Sequence, residues 1–71
     1  MNYFHKNLKF LLKEKNLSKI QLSKELNITR QAINDWTNNN VYPVYDNLIK
    51  LSEIFNVSID DFLKKDLEES K

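Results

Sequence analysis

Glycine is absent from this chain, and Pro43 is its one proline. Helix breakers are therefore almost missing, while apolar residues recur at regular spacing. The two together predict an all-α domain. Wherever such a chain needs positive φ, asparagine is the next best residue, and ten asparagines are present.

Seventy-one residues make one domain, 1–71, with a small core near the lower limit of independent stability. There is no cysteine, so neither a disulfide framework nor a thiolate zinc site is available. That suits a reducing cytoplasm. The longest apolar runs are as short as Phe10-Leu11-Leu12, so neither a membrane span nor a signal-peptide core is expected. Ten lysines against one arginine, with many Asn and Ile, fit AT-rich coding and point to a low-GC bacterium or its phage. Net charge is only +1, but residues 1–40 carry seven Lys/Arg against three Asp/Glu, and residues 41–71 carry four against seven. This asymmetry is compatible with one basic face that meets an anion.

Phe4, Leu8, Leu11 and Leu12 form one helical stripe over about residues 2–15, with Asn2 as a candidate cap. Lys6, Lys9 and Lys13 fall off it, on the solvent side. Three later helix starts share a device. Ser18 caps with Gln21 reaching back and Leu17 packing on Leu22. Thr29 caps with Ile28 on Ile33. Ser58 caps with Asp61, and Val57 packs on Phe62. Each such cap is worth about 1 kcal/mol. A fourth helix, about 45–55, turns Leu48, Leu51, Ser52 and Phe55 inward, with Pro43 near its start and Asp46 on its positive end. A C-terminal helix is expected over about 58–68, supported by the i,i+4 pairs Asp60–Lys64, Asp61–Lys65, Lys64–Glu68 and Lys65–Glu69. Five short helices in one compact domain result.

With Ile33 and Trp36 facing the core, Arg30, Gln31, Asn34, Asp35 and Asn38 share the outer face of the third helix. Leu22 and Leu26 point inward from the helix before it, Ser23 allows close approach, and Asn27 is the expected left-handed C-cap. Two helices joined by so tight a turn, about 18–37, have helix-turn-helix geometry, whose second helix can enter a DNA major groove.

"LSKIQLSKELNITRQAINDW" followed by "YPVYDNLIKLSEIFNVSIDDFL" resembles the Cro/repressor-type helix-turn-helix family of lambdoid phage repressors and small bacterial regulators, over about residues 4–63. The resemblance implies a five-helix lambda-repressor-like fold. It implies base-reading roles for Arg30, Gln31, Asn34 and Asp35. Phosphate contacts fall on Ser18, Lys19, Thr29 and Asn38. The chain departs from the family in three ways. Asn27 and Asn39 stand where glycine is usual. Leu12 and Thr37 replace an Arg–Glu pair, so that no charge is left stranded. Asp35 sets a negative charge on the DNA side.

Arg30 is the only arginine, and its planar fork can grip guanine O6 and N7 together, which lysine cannot do. Gln31 or Asn34 can pair with adenine, and Asp35 can accept from cytosine N4. The plainer reading of these four is a solvated polar face. Trp36 lies on the apolar line and belongs to the core rather than to a stacking platform. Tyr42 and Tyr45 either touch DNA backbone or simply pack. His5 is expected at the surface, with no cysteine or carboxylate beside it in sequence. No nucleophile–base set, glycine-rich phosphate loop or metal spacing is present, so an enzyme, a cofactor, a metal or a small-molecule ligand is not expected. The expected function is a DNA-binding transcriptional regulator, a repressor, that reads a palindromic operator as a homodimer through Ile59, Leu63 and Leu67. The alternative is a protein-interaction module on the same fold, such as an antirepressor or antitoxin component.

Overall fold

A computed structural model describes residues 2–70 and is all-helical over them. Five helices follow in order: α1 Phe4–Glu14, α2 Lys19–Leu26, α3 Arg30–Asn38, α4 Tyr45–Phe55 and α5 Ile59–Lys64. The expected apolar stripes close into one core of Phe4, Leu8, Leu11, Leu12, Leu22, Leu26, Ile33, Trp36, Leu51, Phe55 and Phe62. Phe62 joins its two ends, stacking on Phe4 with centroids 5.3 Å apart and meeting Phe55 edge-on at 6.3 Å.

Three of the four connections carry the same three-residue device: Asn16-Leu17-Ser18, Asn27-Ile28-Thr29 and Asn56-Val57-Ser58. The asparagine takes left-handed φ of 53°, 55° and 55° in turn. The amide after it then reaches back five residues: Leu17 to the Leu12 carbonyl (2.9 Å), Ile28 to Ser23 (3.0 Å) and Val57 to Ser52 (3.0 Å). This is the Schellman closure, with asparagine in the place of glycine. The apolar residue packs on the core. The hydroxyl residue caps the next helix, accepting from the amides of Gln21 (3.0 Å), Ala32 (3.2 Å) and Asp61 (3.0 Å) respectively. One triplet thus ends a helix, anchors the turn and starts the next helix.

Several expectations shift. Asn2 does accept from the Phe4 amide (3.0 Å), but α1 begins at Phe4 because the Tyr3 amide donates to the Leu63 carbonyl (2.8 Å). After α3 the left-handed residue is Asn40 (φ 60°), whereas Asn39 keeps φ −114°. The amides of both Asn39 and Val41 converge on the Asp35 carbonyl, which moves the turn one residue on.

The larger correction concerns α5, which ends at Lys64 rather than near 68. Lys65 turns extended. The fully buried Asn7 side chain donates to the carbonyls of Phe62 and Lys65, both at 2.7 Å, and accepts from the Leu67 amide at 3.0 Å. Lys6 pairs with Asp66 at 2.7 Å. A side chain of α1 thereby takes over carbonyls that a longer helix would satisfy itself, and Leu67 folds back onto the core. Of the four i,i+4 pairs expected here, the described residues form Asp60–Lys64, at 3.9 Å.

Candidate nucleic-acid interface

The outer face of α3 is polar because Ile33 and Trp36 occupy its inner face, at 0% and 4% exposure. Thr37 is buried beside them, its hydroxyl donating to the Ile33 and Asn34 carbonyls (3.1 Å each). Leu12 is buried too, so the two positions where an Arg–Glu pair was absent from the sequence are filled without charge.

The outward residues are not equivalent. Arg30 is exposed, and its fork has no hydrogen-bond or ion-pair partner among the described residues. Gln31 Nε2 donates to Asp35 Oδ1 (3.0 Å), and Asn39 Nδ2 donates to the same oxygen (2.8 Å). Asp35 is half-buried and is engaged by its own helix and the residue that caps it, rather than presented as a bare carboxylate. Asn34 Oδ1 accepts from Lys19 Nζ at 2.7 Å, a bond that joins the start of α2 to the middle of α3. Thus Lys19 and the reading face are brought together. Asn38 closes α3 and is exposed.

Two helix starts flank this face. Neither α2 nor α3 has an acidic residue in its first turn, whereas α4 carries Asp46 there and α5 carries Asp60 and Asp61. The positive ends of α2 and α3 are left uncompensated and suit an anion. Ser18 and Thr29 use an oxygen lone pair for capping, which keeps each O–H free to donate outward. Lys9 and Lys13 of α1, expected only to be solvated, line a groove with Ser18, Lys19 and Thr37 and extend the basic side.

The remaining candidates fall elsewhere. Tyr42 packs on His5 and Phe4 with centroids 4.5 and 5.8 Å away, while Tyr45 is 66% exposed. His5 is not a surface residue: it is half-buried, with Nδ1 hydrogen-bonded to the Trp36 carbonyl. Ile59, Leu63 and Leu67 do not form one helical stripe, since α5 stops before Leu67. All three are half-buried, and Leu63 and Leu67 pack on the chain's own core. No group of His, Cys, Asp or Glu among the described residues is arranged to hold a metal, and no helix is long and apolar enough to cross a membrane.

Sequence reasoning missed Asn7 and Asn39. Asn7 falls beside the apolar stripe of α1, and a polar residue at such a position was the available signal. For Asn39 the signal was its i,i+4 spacing from Asp35 at the end of α3.

Comparison with known proteins agrees with this geometry. A family model described as helix-turn-helix matches residues 8–62. The chain is similar to the HTH-type transcriptional activator BcrR of Enterococcus faecalis, 37% identical over 60 residues, covering 84% of this chain and 29% of that protein. It thus spans less than a third of that relative's length. It is also similar to the crystal structure of a transcriptional regulator from Listeria innocua, with a TM-score of 0.84 and 26% identity, over 99% of this chain and 71% of that one.

Proposed function

This chain belongs to the Cro/repressor-type helix-turn-helix family, and from that premise we propose that it is a sequence-specific double-stranded DNA-binding transcriptional regulator of a bacterium or phage. The observation that carries this reading is the exposed polar face of α3, with the Arg30 fork unpartnered among the described residues, between two helix starts that lack acidic neighbours. In this reading α3 lies in the major groove. Arg30 grips guanine, and Gln31, Asn34 and Asp35 read neighbouring base edges. Ser18, Lys19, Thr29 and Asn38 hold phosphates and set the register. The protein acts in the cytoplasm, where its DNA is.

A nine-residue helix reads too few base pairs for genomic specificity. We therefore propose a homodimer on a palindromic operator, its two α3 helices about 34 Å apart. The contact would use what remains exposed of Ile59, Leu63 and Leu67. Their packing on the core makes it small, in keeping with weak association in the absence of DNA. Bound across a promoter, such a dimer represses by exclusion. The E. faecalis relative is named an activator, so a promoter-reporter assay is read for both signs.

Selection of duplexes from a random pool, followed by a salt titration of the winner, tests the function. A palindromic consensus whose affinity falls steeply with salt is the expected result. Sedimentation with and without that duplex tests the dimer, two chains per palindrome being expected.

One observation favours the second reading, a protein-interaction module. Val41, Tyr42 and Val44, between α3 and α4, and Tyr45, the first residue of α4, are 45%, 48%, 68% and 66% exposed, an apolar group in the segment that follows the reading helix. Failure to enrich any duplex, with retention of a partner protein that Tyr45→Ser releases, would favour it.

A further inference from the structure

We propose that Lys19 sets the hydrogen-bond polarity of Asn34, so that Asn34 selects guanine and not adenine at its base pair. The inference rests on the DNA-reading function proposed above and deepens it.

An asparagine side chain is chemically two-sided, with an acceptor oxygen and a donor NH2, and adenine is its usual match because N6 donates and N7 accepts. Here the oxygen is occupied. Lys19 Nζ lies 2.7 Å from Asn34 Oδ1, and both residues are half-buried. The orientation of the amide follows from chemistry alone, because an ammonium can only donate, so the atom facing it must be the oxygen. A second lone pair remains on Oδ1. However, an adenine N6 donor that approached it would meet an oxygen already hydrogen-bonded to a full positive charge, which repels a second donor. The NH2 end points away from the ammonium and offers donors only. Guanine presents two adjacent acceptors, O6 and N7, to such a group, and its electron-rich edge also favours the nearby cation. The ammonium keeps two further N–H donors, enough to hold a phosphate at the same time, so Lys19 is a positioning residue that couples backbone anchoring to base choice.

Gln31 supplies an internal control. Its NH2 donates to the Asp35 carboxylate, which can only accept, and this pair does not involve Lys19.

The experiment selects duplexes from one random pool with the wild type, Asn34→Ala, Lys19→Arg and Lys19→Met. Asn34→Ala locates the base pair by losing preference there alone. At that pair the wild type is expected to prefer G·C, and Lys19→Arg, which also only donates, to keep it. Lys19→Met frees Oδ1 and is expected to shift the preference toward A·T by about tenfold, leaving the Gln31 position unchanged. Affinity and salt slope fall with the lost charge in Lys19→Met at every sequence alike. That uniform fall is all a plain phosphate contact would give, and without the base switch it overturns the proposal. Wild-type preference for A·T at the Asn34 pair overturns it too. If the wild type enriches no duplex, the DNA-reading function itself fails and takes this inference with it. Circular dichroism of each variant confirms that helix content is unchanged, as expected for substitutions that spare the Ser18 cap.

Discussion

Arg30 and Asp35 both lie on the outward face of α3, yet they behave differently. The guanidinium is exposed and unengaged among the described residues, while the carboxylate is tied to Gln31 and Asn39. Asp35 therefore organises its own helix end, and less of its charge is available to repel phosphate than the sequence implied. Arg30 is free to read. On the proposed function, Arg30→Ala weakens specific binding by about 1–3 kcal/mol and relaxes one base pair, as measured by titration against the selected duplex and its point variants. Arg30→Lys keeps the charge and the non-specific affinity but loses the preference, because lysine lacks the fork. Full retention of preference by Arg30→Lys would show that the contact is not bidentate.

At the scale of elements, α1, α2 and α4 all end through a left-handed asparagine and hand over to a capping hydroxyl two residues later. A β-carbon in the left-handed region costs roughly 1–2 kcal/mol, and asparagine offsets part of this through local hydrogen bonding. In the turn between α2 and α3, Asn27→Ala should destabilise the domain by about 1 kcal/mol. Asn27→Gly should leave stability unchanged or slightly higher. Thermal unfolding separates them, since 1 kcal/mol corresponds to a shift of about 4–8 °C in a domain of this size. An Asn27→Ala variant as stable as wild type would mean that the turn relaxes to another conformation.

The whole molecule is closed by α1 acting on the C-terminal end. Asn7 satisfies two carbonyls and one amide around the end of α5, and each buried polar group left without a partner costs about 1–3 kcal/mol. Asn7→Ala should therefore cost on the order of 3 kcal/mol in urea unfolding and expose the Lys64–Lys65 segment to trypsin; a loss below 1 kcal/mol would mean that water replaces the side chain. Beside it, the hydrogen bond with Lys6 holds the Asp66 carboxyl below its usual value, and the same bond raises Lys6. The signs give the pH window. Asp66, depressed on folding, contributes stability above the ordinary carboxylate range and loses it as pH falls through its folded value. Lys6, raised, contributes below the ordinary lysine range and loses it above. The stability difference between wild type and Asp66→Asn should accordingly be widest near neutrality and shrink toward both acid and strong alkali. A difference independent of pH would remove the pair from this role.

What the sequence determined by itself is what short-range physics controls. The caps, the staples and the Asn27 turn act within a few residues, so helix starts near 18, 29 and 58 were legible. The 3.6-residue period and the staples together named each of the eleven buried apolar residues of the core, Phe62 through its staple with Val57, and subtraction of that face left the polar one on α3. Asn16 and Asn56 carry the same triplet pattern as Asn27 and were legible in principle. Tertiary structure decided the rest, because the partners are remote in sequence: Lys19 and Asn34 are 15 residues apart, His5 and the Trp36 carbonyl 31, and Asn7 and its three partners, two carbonyls and one amide, 55 to 60. Local charge pairs favoured a longer α5, as helix pairs of a few tenths of a kcal/mol do. Burial of Leu67 and full satisfaction of a buried amide are worth more, and only the folded chain brings Asn7 close enough to end the helix at Lys64.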